Sequence, residues 1–217
     1  MKFKFINLGQ TVMRYETPLN IYNDINNLYE NKFSILGKAN KQLVGKIVNE
    51  HSVFYDGLDN ESRMKKHNFL SLEVKQWFID MFKHYLNFNF IKEYDVHLNS
   101  VWINEMKVNE YNPVHVHQGS MATGLSSVMI LKLPSTFGVE YSAEESPQNG
   151  KLQILGSSSG QFAKIDYQPE VSVRDFYIFP YDMRHCVYPF NGTEETRRSL
   201  AANCDVKYNP IINRGAE

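Results

Sequence analysis

The hydrophobic pattern of the chain changes near residue 95, and this change most restricts the folds open to it. Before this point, apolar residues recur at helical spacing in two segments, Pro18–Glu30 and Leu70–Leu86. The second segment carries a wide apolar stripe made of Leu72, Val74, Trp77, Phe78, Met81, Phe82 and Tyr85. The pattern predicts two amphipathic helices with looser connecting structure between them.

After residue 95 the apolar residues fall in short runs bounded by Pro, Gly, Asn or Ser, which is typical of strands joined by turns. The runs are Val96–Val108, Ser126–Leu133, Lys151–Leu155, Gln161–Tyr167, Asp175–Phe179 and Ser199–Val206. Helices followed by many strands predict a mainly β protein, a sandwich or jelly roll with flanking helices packed on its outside. We expect residues 1–217 to form a single domain, with 1–94 as a helical support region and 95–217 as the β core.

Charge and composition exclude several classes of protein. The 23 basic and 24 acidic residues leave a net charge of −1, which argues against a broad electrostatic grip on nucleic acid. Aromatic residues make up 13% of the chain, so a packed core is expected rather than disorder. The opening ten residues lack the apolar core of a secretory signal, and apolar runs such as Val128–Leu131 are too short to cross a membrane. We therefore expect a cytoplasmic protein without membrane spans.

The two cysteines, Cys186 and Cys204, lie outside any C-x-x-C pair. We interpret them as small buried hydrophobic residues rather than as ligands or a disulfide.

Three of the seven histidines stand out. His115 and His117 lie in the segment Asn112–His117, and in an extended chain a period of two places both imidazoles on one face. Such a pair can grip a metal, although H-x-H alone is equally consistent with a chance pair on a solvated sheet. His185 follows an apolar strand and a Pro-centred turn, 68 residues after His117. Because several strands can lie between, we expect the two segments to face each other across a barrel mouth.

Arg197 lies 12 residues after His185, and Ser199 follows two residues later. Alternation along Ser199–Val206 and the two residues before it sends Arg197 and Ser199 to one face and Arg198 to the other. On a buried strand, this pair would form a clamp for a carboxylate. An exposed Arg-Arg pair that answers Glu194 and Glu195 is the alternative.

Taken in order, these segments resemble the non-haem iron, 2-oxoglutarate (2OG)-dependent dioxygenases of the double-stranded β-helix, cupin-like fold. More narrowly, they are similar to a small prolyl-hydroxylase-like branch found in marine bacteria and their phages, which would imply the host cytoplasm for a phage-encoded chain. The resemblance covers roughly residues 100–206. The matching segments are Trp102–Asn104, Asn112–His117, Leu125–Ser127, Lys132–Pro134, Phe179–Pro180, His185–Phe190 and Arg197–Asn203.

The resemblance implies a role for each matching residue. His115, His117 and His185 map to the metal ligands, and Arg197 and Ser199 map to the pair that holds the distal carboxylate of 2OG. Asn104 and Asn203 map to polar positions that line the cosubstrate or substrate pocket. The implied cofactors are Fe(II), 2OG and O₂, with ascorbate in support. The implied reaction hydroxylates a C–H bond of a peptidyl or small-molecule substrate and releases succinate and CO₂.

One position departs from the pattern of the superfamily. Most members place Asp or Glu two residues after the first histidine, where this chain has His117. Three neutral ligands would hold Fe(II) less firmly and let zinc compete, while Asp182 offers a carboxylate nearby. Two other functions stay open, a zinc hydrolase with three histidines and a non-enzymatic β-sandwich with structural histidines. Trp102 is expected to pack in the core or to wall the cavity.

Overall fold

Twelve strands and two helices make up the part of the chain that the structure, a computed structural model, describes. The described residues are 9–39, 44–58, 65–89, 91–140, 146–157 and 163–209. The helices are α1 (Leu19–Lys32) and α2 (Leu72–Phe88), and a 3₁₀ turn at Phe33–Ile35 follows α1. The strands are β1 (Met13–Glu16), β2 (Gly37–Lys38), β3 (Asn49–Tyr55), β4 (His67–Asn68), β5 (Tyr94–Met106), β6 (Asn112–His115), β7 (Gly124–Lys132), β8 (Leu152–Leu155), β9 (Asp166–Tyr167), β10 (Asp175–Pro180), β11 (Arg184–Val187) and β12 (Arg197–Tyr208).

The strands form two antiparallel sheets that pack face to face. The larger sheet has the order β1-β10-β7-β12-β5-β3-β2, with β4 paired to β3, and the smaller sheet has the order β6-β11-β8-β9. Val128 and Tyr177 of the larger sheet share a hydrophobic cluster with Leu152 and Ile154 of the smaller one. The predicted mainly β jelly roll is confirmed, and the space between its sheets holds the candidate site.

Both helices cover the outer face of the larger sheet, as predicted. The Ser71 hydroxyl caps α2 by accepting the Val74 backbone N–H at 3.2 Å, which satisfies one of the unpaired donors of the first turn. Phe78 and Phe82 are fully buried, and the Phe78 ring lies 5.8 Å from that of Phe176 in β10. Leu72 departs from the predicted stripe, because at the first position of the helix it is 81% exposed.

The region between the helices, expected to be loosely structured, contains β2, β3 and β4. Strand β3 pairs with β5 along most of its length and so extends the larger sheet. Its inward positions carry the polar residues Glu50 and Ser52. Because the segment therefore lacks the alternation of apolar and polar residues, its sequence does not predict a strand. The N-terminal region predicted as helical support therefore also contributes four strands. Of the predicted run Gln161–Tyr167 only Asp166–Tyr167 is a strand, and residues 161–162 lie outside the described residues.

Two simpler expectations can be compared with the structure. Cys186 and Cys204 are buried free thiols, as predicted. Neither helix among the described residues combines the length and the apolar character needed to span a bilayer.

Candidate active site

Three histidines converge at one end of the smaller sheet. Strands β6 and β11 are neighbours, and His115 lies directly opposite His185 in their register. His117 follows the end of β6, where its backbone N–H donates to the Tyr181 carbonyl at 2.9 Å. The expectation that the two segments face each other across a barrel mouth is wrong. Strands β7 and β10, which lie between them in sequence, belong to the larger sheet, so β6 and β11 can pair directly.

The ring nitrogens of His115, His117 and His185 form a compact group. One ligand atom from each ring lies within 4.8 Å of the others. The Nε2 atoms of His117 and His185 are 3.1 Å apart, and their rings are nearly parallel at an interplanar angle of 7°. The His115 ring centroid lies 4.3 Å from that of His185. Three nitrogens so arranged match the donor set of a divalent transition metal with open positions.

Backbone carbonyls orient two of the rings. His115 Nδ1 donates to the Pro113 carbonyl at 2.7 Å, and His185 Nδ1 donates to the Met183 carbonyl at 3.1 Å. Because a carbonyl oxygen only accepts, Nδ1 of each neutral ring carries the proton and Nε2 is left with a lone pair. Metal-binding histidines in proteins are commonly oriented in this way.

Burial keeps the three imidazoles neutral. It lowers the pKa of His115, and it lowers the pKa of His185 to about 3, with the charge of His115 adding to the effect. The pKa of His117 also lies well below its ordinary value, first through burial and then through the charges of the other two rings. Neutral imidazole is the form that binds metals, so the group is ready to do so at neutral pH.

Asp182 lies outside this group. Its side chain is exposed and accepts a hydrogen bond from Gln10 Nε2 at 3.2 Å. Among the described residues, the candidate ligand group consists of the three histidines without a carboxylate. The geometry therefore favours His117 over Asp182 as the third ligand.

The two arginines of β12 lie on opposite faces of the larger sheet. Arg197 faces inward, is 2% exposed, and its Nη1 lies 3.4 Å from the Ser199 hydroxyl. Arg198 faces α1, where it pairs with Glu30 at 2.6 Å and with Glu105. The predicted alternation is confirmed and the exposed Arg-Arg pair is wrong, since both side chains are buried.

No described residue neutralises the charge of Arg197. Its Nε and Nη2 atoms are buried without a hydrogen-bond partner, and no carboxylate in the described part of the chain forms an ion pair with it. Burial lowers its pKa to about 10, so the guanidinium is still charged at neutral pH. A buried cation without a counter-ion is costly, which points to an anionic ligand.

Asn104 and Asn203 also face the space between the sheets. Asn104 lies opposite Ser199 in the register of β5 and β12, and its Oδ1 is buried with no partner among the described residues. Asn203 Oδ1 accepts the Ser126 hydroxyl at 3.0 Å. Asn203 lines the cavity described next, whereas Asn104, Ser199 and Arg197 are not on its surface.

A cavity of about 400 Å³ opens beside the histidines. His115, His117 and Trp102 form part of its wall, and the Trp102 ring lies 5.6 Å from that of His117. Trp102 also packs against Ala39 and Ala201, so both of its expected roles apply. Several polar wall residues were missed by the sequence analysis, namely Glu50, Ser52, Tyr55, Asn99, Ser100, Gln118 and Ser120.

Glu50 is the most unusual of the missed residues. It lies opposite Asn104 in the pairing of β3 and β5 and is only 3% exposed. Burial, helped by the charge of Glu110, raises the pKa of its carboxyl group to about 7. A single glutamate in an unrecognised strand carries no motif, so the sequence offered no signal for it.

Comparisons with known proteins identify a related family and similar folds. Residues 100–203 match the model of the family described as "Putative 2OG-Fe(II) oxygenase". No curated protein matches the sequence. Similar solved structures include a prolyl-4-hydroxylase from Pseudomonas putida, with 11% identity, coverage of 90% of this chain and 92% of that chain, and a TM-score of 0.53.

Two further structures share the fold at the same TM-score of 0.53. One is a prolyl hydroxylase from Trichoplax adhaerens, with 9% identity and coverage of 95% of this chain and 87% of that chain. The other is AviO1 from Streptomyces viridochromogenes, with 12% identity and coverage of 93% and 91%. The family match favours an oxygenase over the zinc hydrolase and the non-enzymatic module. Residues 100–203, which carry the three histidines and the Arg197–Ser199 pair, thus belong to the superfamily of 2OG-Fe(II) oxygenase enzymes.

Proposed function

We propose that this protein is a hydroxylase that couples the oxidation of 2OG to the hydroxylation of a substrate C–H bond. In the overall reaction one oxygen atom of O₂ enters the substrate, the other enters succinate, and 2OG loses CO₂. His115, His117 and His185 would hold Fe(II), which supplies the oxygen-activating redox chemistry when bound. The neutral state of the three rings and the oriented Nε2 lone pairs of His115 and His185 support this role.

The observation that carries the proposal is the buried, unanswered charge of Arg197. A guanidinium fork matches the two oxygens of a carboxylate, and the two unpartnered nitrogens, Nε and Nη2, are donors of this kind. Ser199 adds a hydroxyl beside the fork, and Asn104 adds a polar group across from Ser199. A dicarboxylate such as 2OG would offset the cost of burying the cation, which a water-activating zinc site would leave unexplained.

The cavity supports a substrate with a polar reacting end. Its volume of about 400 Å³ suits a side chain or a small molecule, and its wall combines apolar side chains with hydroxyl and amide groups. The Trichoplax prolyl hydroxylase was solved in complex with a hypoxia inducible factor peptide fragment. By analogy we favour a peptidyl substrate, with a small molecule as the alternative.

A metal and cosubstrate assay tests the proposal. Purified protein should bind 2OG in the presence of Fe(II) without oxygen, and it should release succinate once air and ascorbate are supplied. His185→Ala should lose Fe(II) binding and succinate release, whereas His84→Ala, at an exposed histidine on α2, should keep both. Zinc binding without any affinity for 2OG would contradict the proposal and favour the hydrolase.

A further inference from the structure

A second polar cluster lies beside the cavity, centred on Asp205 of β12. Its side chain is 1% exposed, and its carboxylate accepts four hydrogen bonds. Asn99 Nδ2 and the Ser120 backbone N–H donate to Oδ2 at 3.0 and 3.1 Å. The Met121 backbone N–H and the Tyr181 hydroxyl donate to Oδ1, both at 3.3 Å. Asp205 therefore joins three separate parts of the chain, namely the loop after His117, Tyr181, and Asn99 of β5.

The first part is the loop that directly follows His117. Ser120 and Met121 are held to Asp205 by their backbone N–H groups, and the Ser120 hydroxyl accepts Asn99 Nδ2 at 3.0 Å. At Gly119 the loop comes so close that a Cβ atom would collide with the Asp205 carboxylate. The carboxylate thus holds the loop at Ser120 and Met121, three and four residues beyond His117.

The second part is Tyr181, which contacts the histidine group directly. While its hydroxyl donates to Asp205, its backbone carbonyl accepts the His117 N–H at 2.9 Å. Two residues further on, Met183 holds His185 through its own carbonyl. Burial raises the pKa of Tyr181, which keeps the hydroxyl protonated as a donor. Asp205 thereby reaches His117 from both sides, through the loop and through Tyr181.

We propose that Asp205 is a positioning residue that holds His117 in place for metal binding. The inference rests on the proposed function, in which His115, His117 and His185 bind the metal. His117 lies beyond the end of β6, so its position depends on these contacts rather than on strand pairing. Groups that orient a ligand in advance raise metal affinity, because less conformational freedom is lost on binding.

The chain offers a control in Asp175, a second buried aspartate that accepts hydrogen bonds from a backbone N–H, a tyrosine hydroxyl and, in addition, an arginine. It is 4% exposed and accepts hydrogen bonds from Arg14, the Ser172 backbone N–H and the Tyr177 hydroxyl. These contacts join β10 to β1 and involve none of the three histidines. Asp175 therefore has a comparable structural role without access to the metal group.

The experiment compares Asp205→Asn with Asp175→Asn. Co²⁺ affinity is measured by calorimetry and by the visible absorption of the bound ion, which reports its coordination, and melting temperature is measured on the same samples. We expect Asp205→Asn to weaken Co²⁺ binding roughly 10-fold and to change the absorption spectrum. Asp175→Asn should lower the melting temperature while its Co²⁺ affinity stays within about twofold of the wild type.

Three results would overturn the inference or its basis. Equal Co²⁺ affinity and spectra in the wild type and Asp205→Asn would show that Asp205 is merely structural. If Asp205→Asn does not fold, Tyr181→Phe removes a single hydrogen bond, and unchanged Co²⁺ binding in that variant would equally refute the link. Absence of Co²⁺ and Fe(II) binding in the wild type would refute the proposed function itself.

Discussion

At the scale of one residue, Arg197 shows how a buried charge without a counter-ion among the described residues can indicate a binding site. Its guanidinium is buried on the inner face of β12, with Ser199 as its polar neighbour and no acid to answer its charge among the described residues. Stability alone would favour an apolar side chain of similar size at this position. The charge is therefore best explained by a ligand.

Replacing Arg197 with Met should separate stability from binding. We expect Arg197→Met to raise the free energy of unfolding without ligand by about 1–3 kcal/mol, because an unanswered buried charge is removed. The same variant should bind 2OG roughly 30- to 100-fold more weakly, a loss of about 2–3 kcal/mol. Chemical denaturation and calorimetry measure the two quantities.

Arg198→Met is the matched control on the opposite face. It should destabilise the protein by about 2–4 kcal/mol, because Glu105 loses its partner in a largely buried pair. Its affinity for 2OG should not change. Weaker 2OG binding by Arg198→Met than by Arg197→Met would show that the assignment of faces is wrong.

Glu50 should make stability depend on pH. Its pKa is raised to about 7 from an ordinary value near 4.5, so the folded state holds a proton that the unfolded state has lost between these pH values. Stability from this group is present below pH 4.5 and is lost as the pH rises through 7. Glu50→Gln should therefore gain stability over the wild type by about 1–3 kcal/mol at pH 8 and little at pH 4.5. Denaturant titrations at pH 4.5, 6, 7 and 8 measure the difference, and a difference that does not vary with pH would contradict this account.

At the scale of the elements, helix α2 packs its apolar face against the larger sheet, and this contact stabilises both. Phe78 and Phe82 are fully buried against the outer face of the sheet, while His115, His117 and His185 lie on the inner side. The predicted stripe identified this face correctly, apart from Leu72 at the start of the helix.

Phe82→Ala should cost stability without touching the site. A buried phenylalanine that is truncated to alanine leaves a cavity, and we expect a loss of about 3–5 kcal/mol in the free energy of unfolding. Leu72→Ala, at an exposed position of the same helix, should change it by less than about 0.5 kcal/mol. The metal affinity of the folded Phe82→Ala protein should equal that of the wild type. A large drop in this affinity would show that packing on the outer face of the sheet influences the site.

At the scale of the whole molecule, metal binding and folding should be linked through pH. The pKa values of the three histidines are lowered in the folded state, so the unfolded chain takes up protons first as the pH falls. The metal-free protein should therefore lose stability as the pH drops from about 6.5 toward 3.

A bound metal should stabilise the fold most at neutral pH. At a metal concentration 100 times the dissociation constant, the gain in stability is about 2.7 kcal/mol. Protons compete for the same imidazoles, so the gain in melting temperature with Co²⁺ should shrink between pH 7.5 and pH 5. Melting curves with Co²⁺ and with EDTA measure this, and His185→Ala should show no gain at either pH. A gain that is undiminished at pH 5 would argue for other ligands.

The sequence by itself determined the two helices, most of the β runs after residue 95 and the candidate residues of the site. Helical spacing, short β runs, the H-x-H pair and the alternation of Arg197 with Arg198 are local patterns, so a linear reading can recognise them. Only the tertiary structure decided that β6 and β11 are neighbours, that Arg197 has no counter-ion among the described residues, and that Glu50 lies in the cavity wall. The contacts of Asp205 with the loop after His117 were also visible only in the tertiary structure. The physical reason is that antiparallel pairing and burial bring together residues far apart in sequence, and no local pattern records which strands will meet.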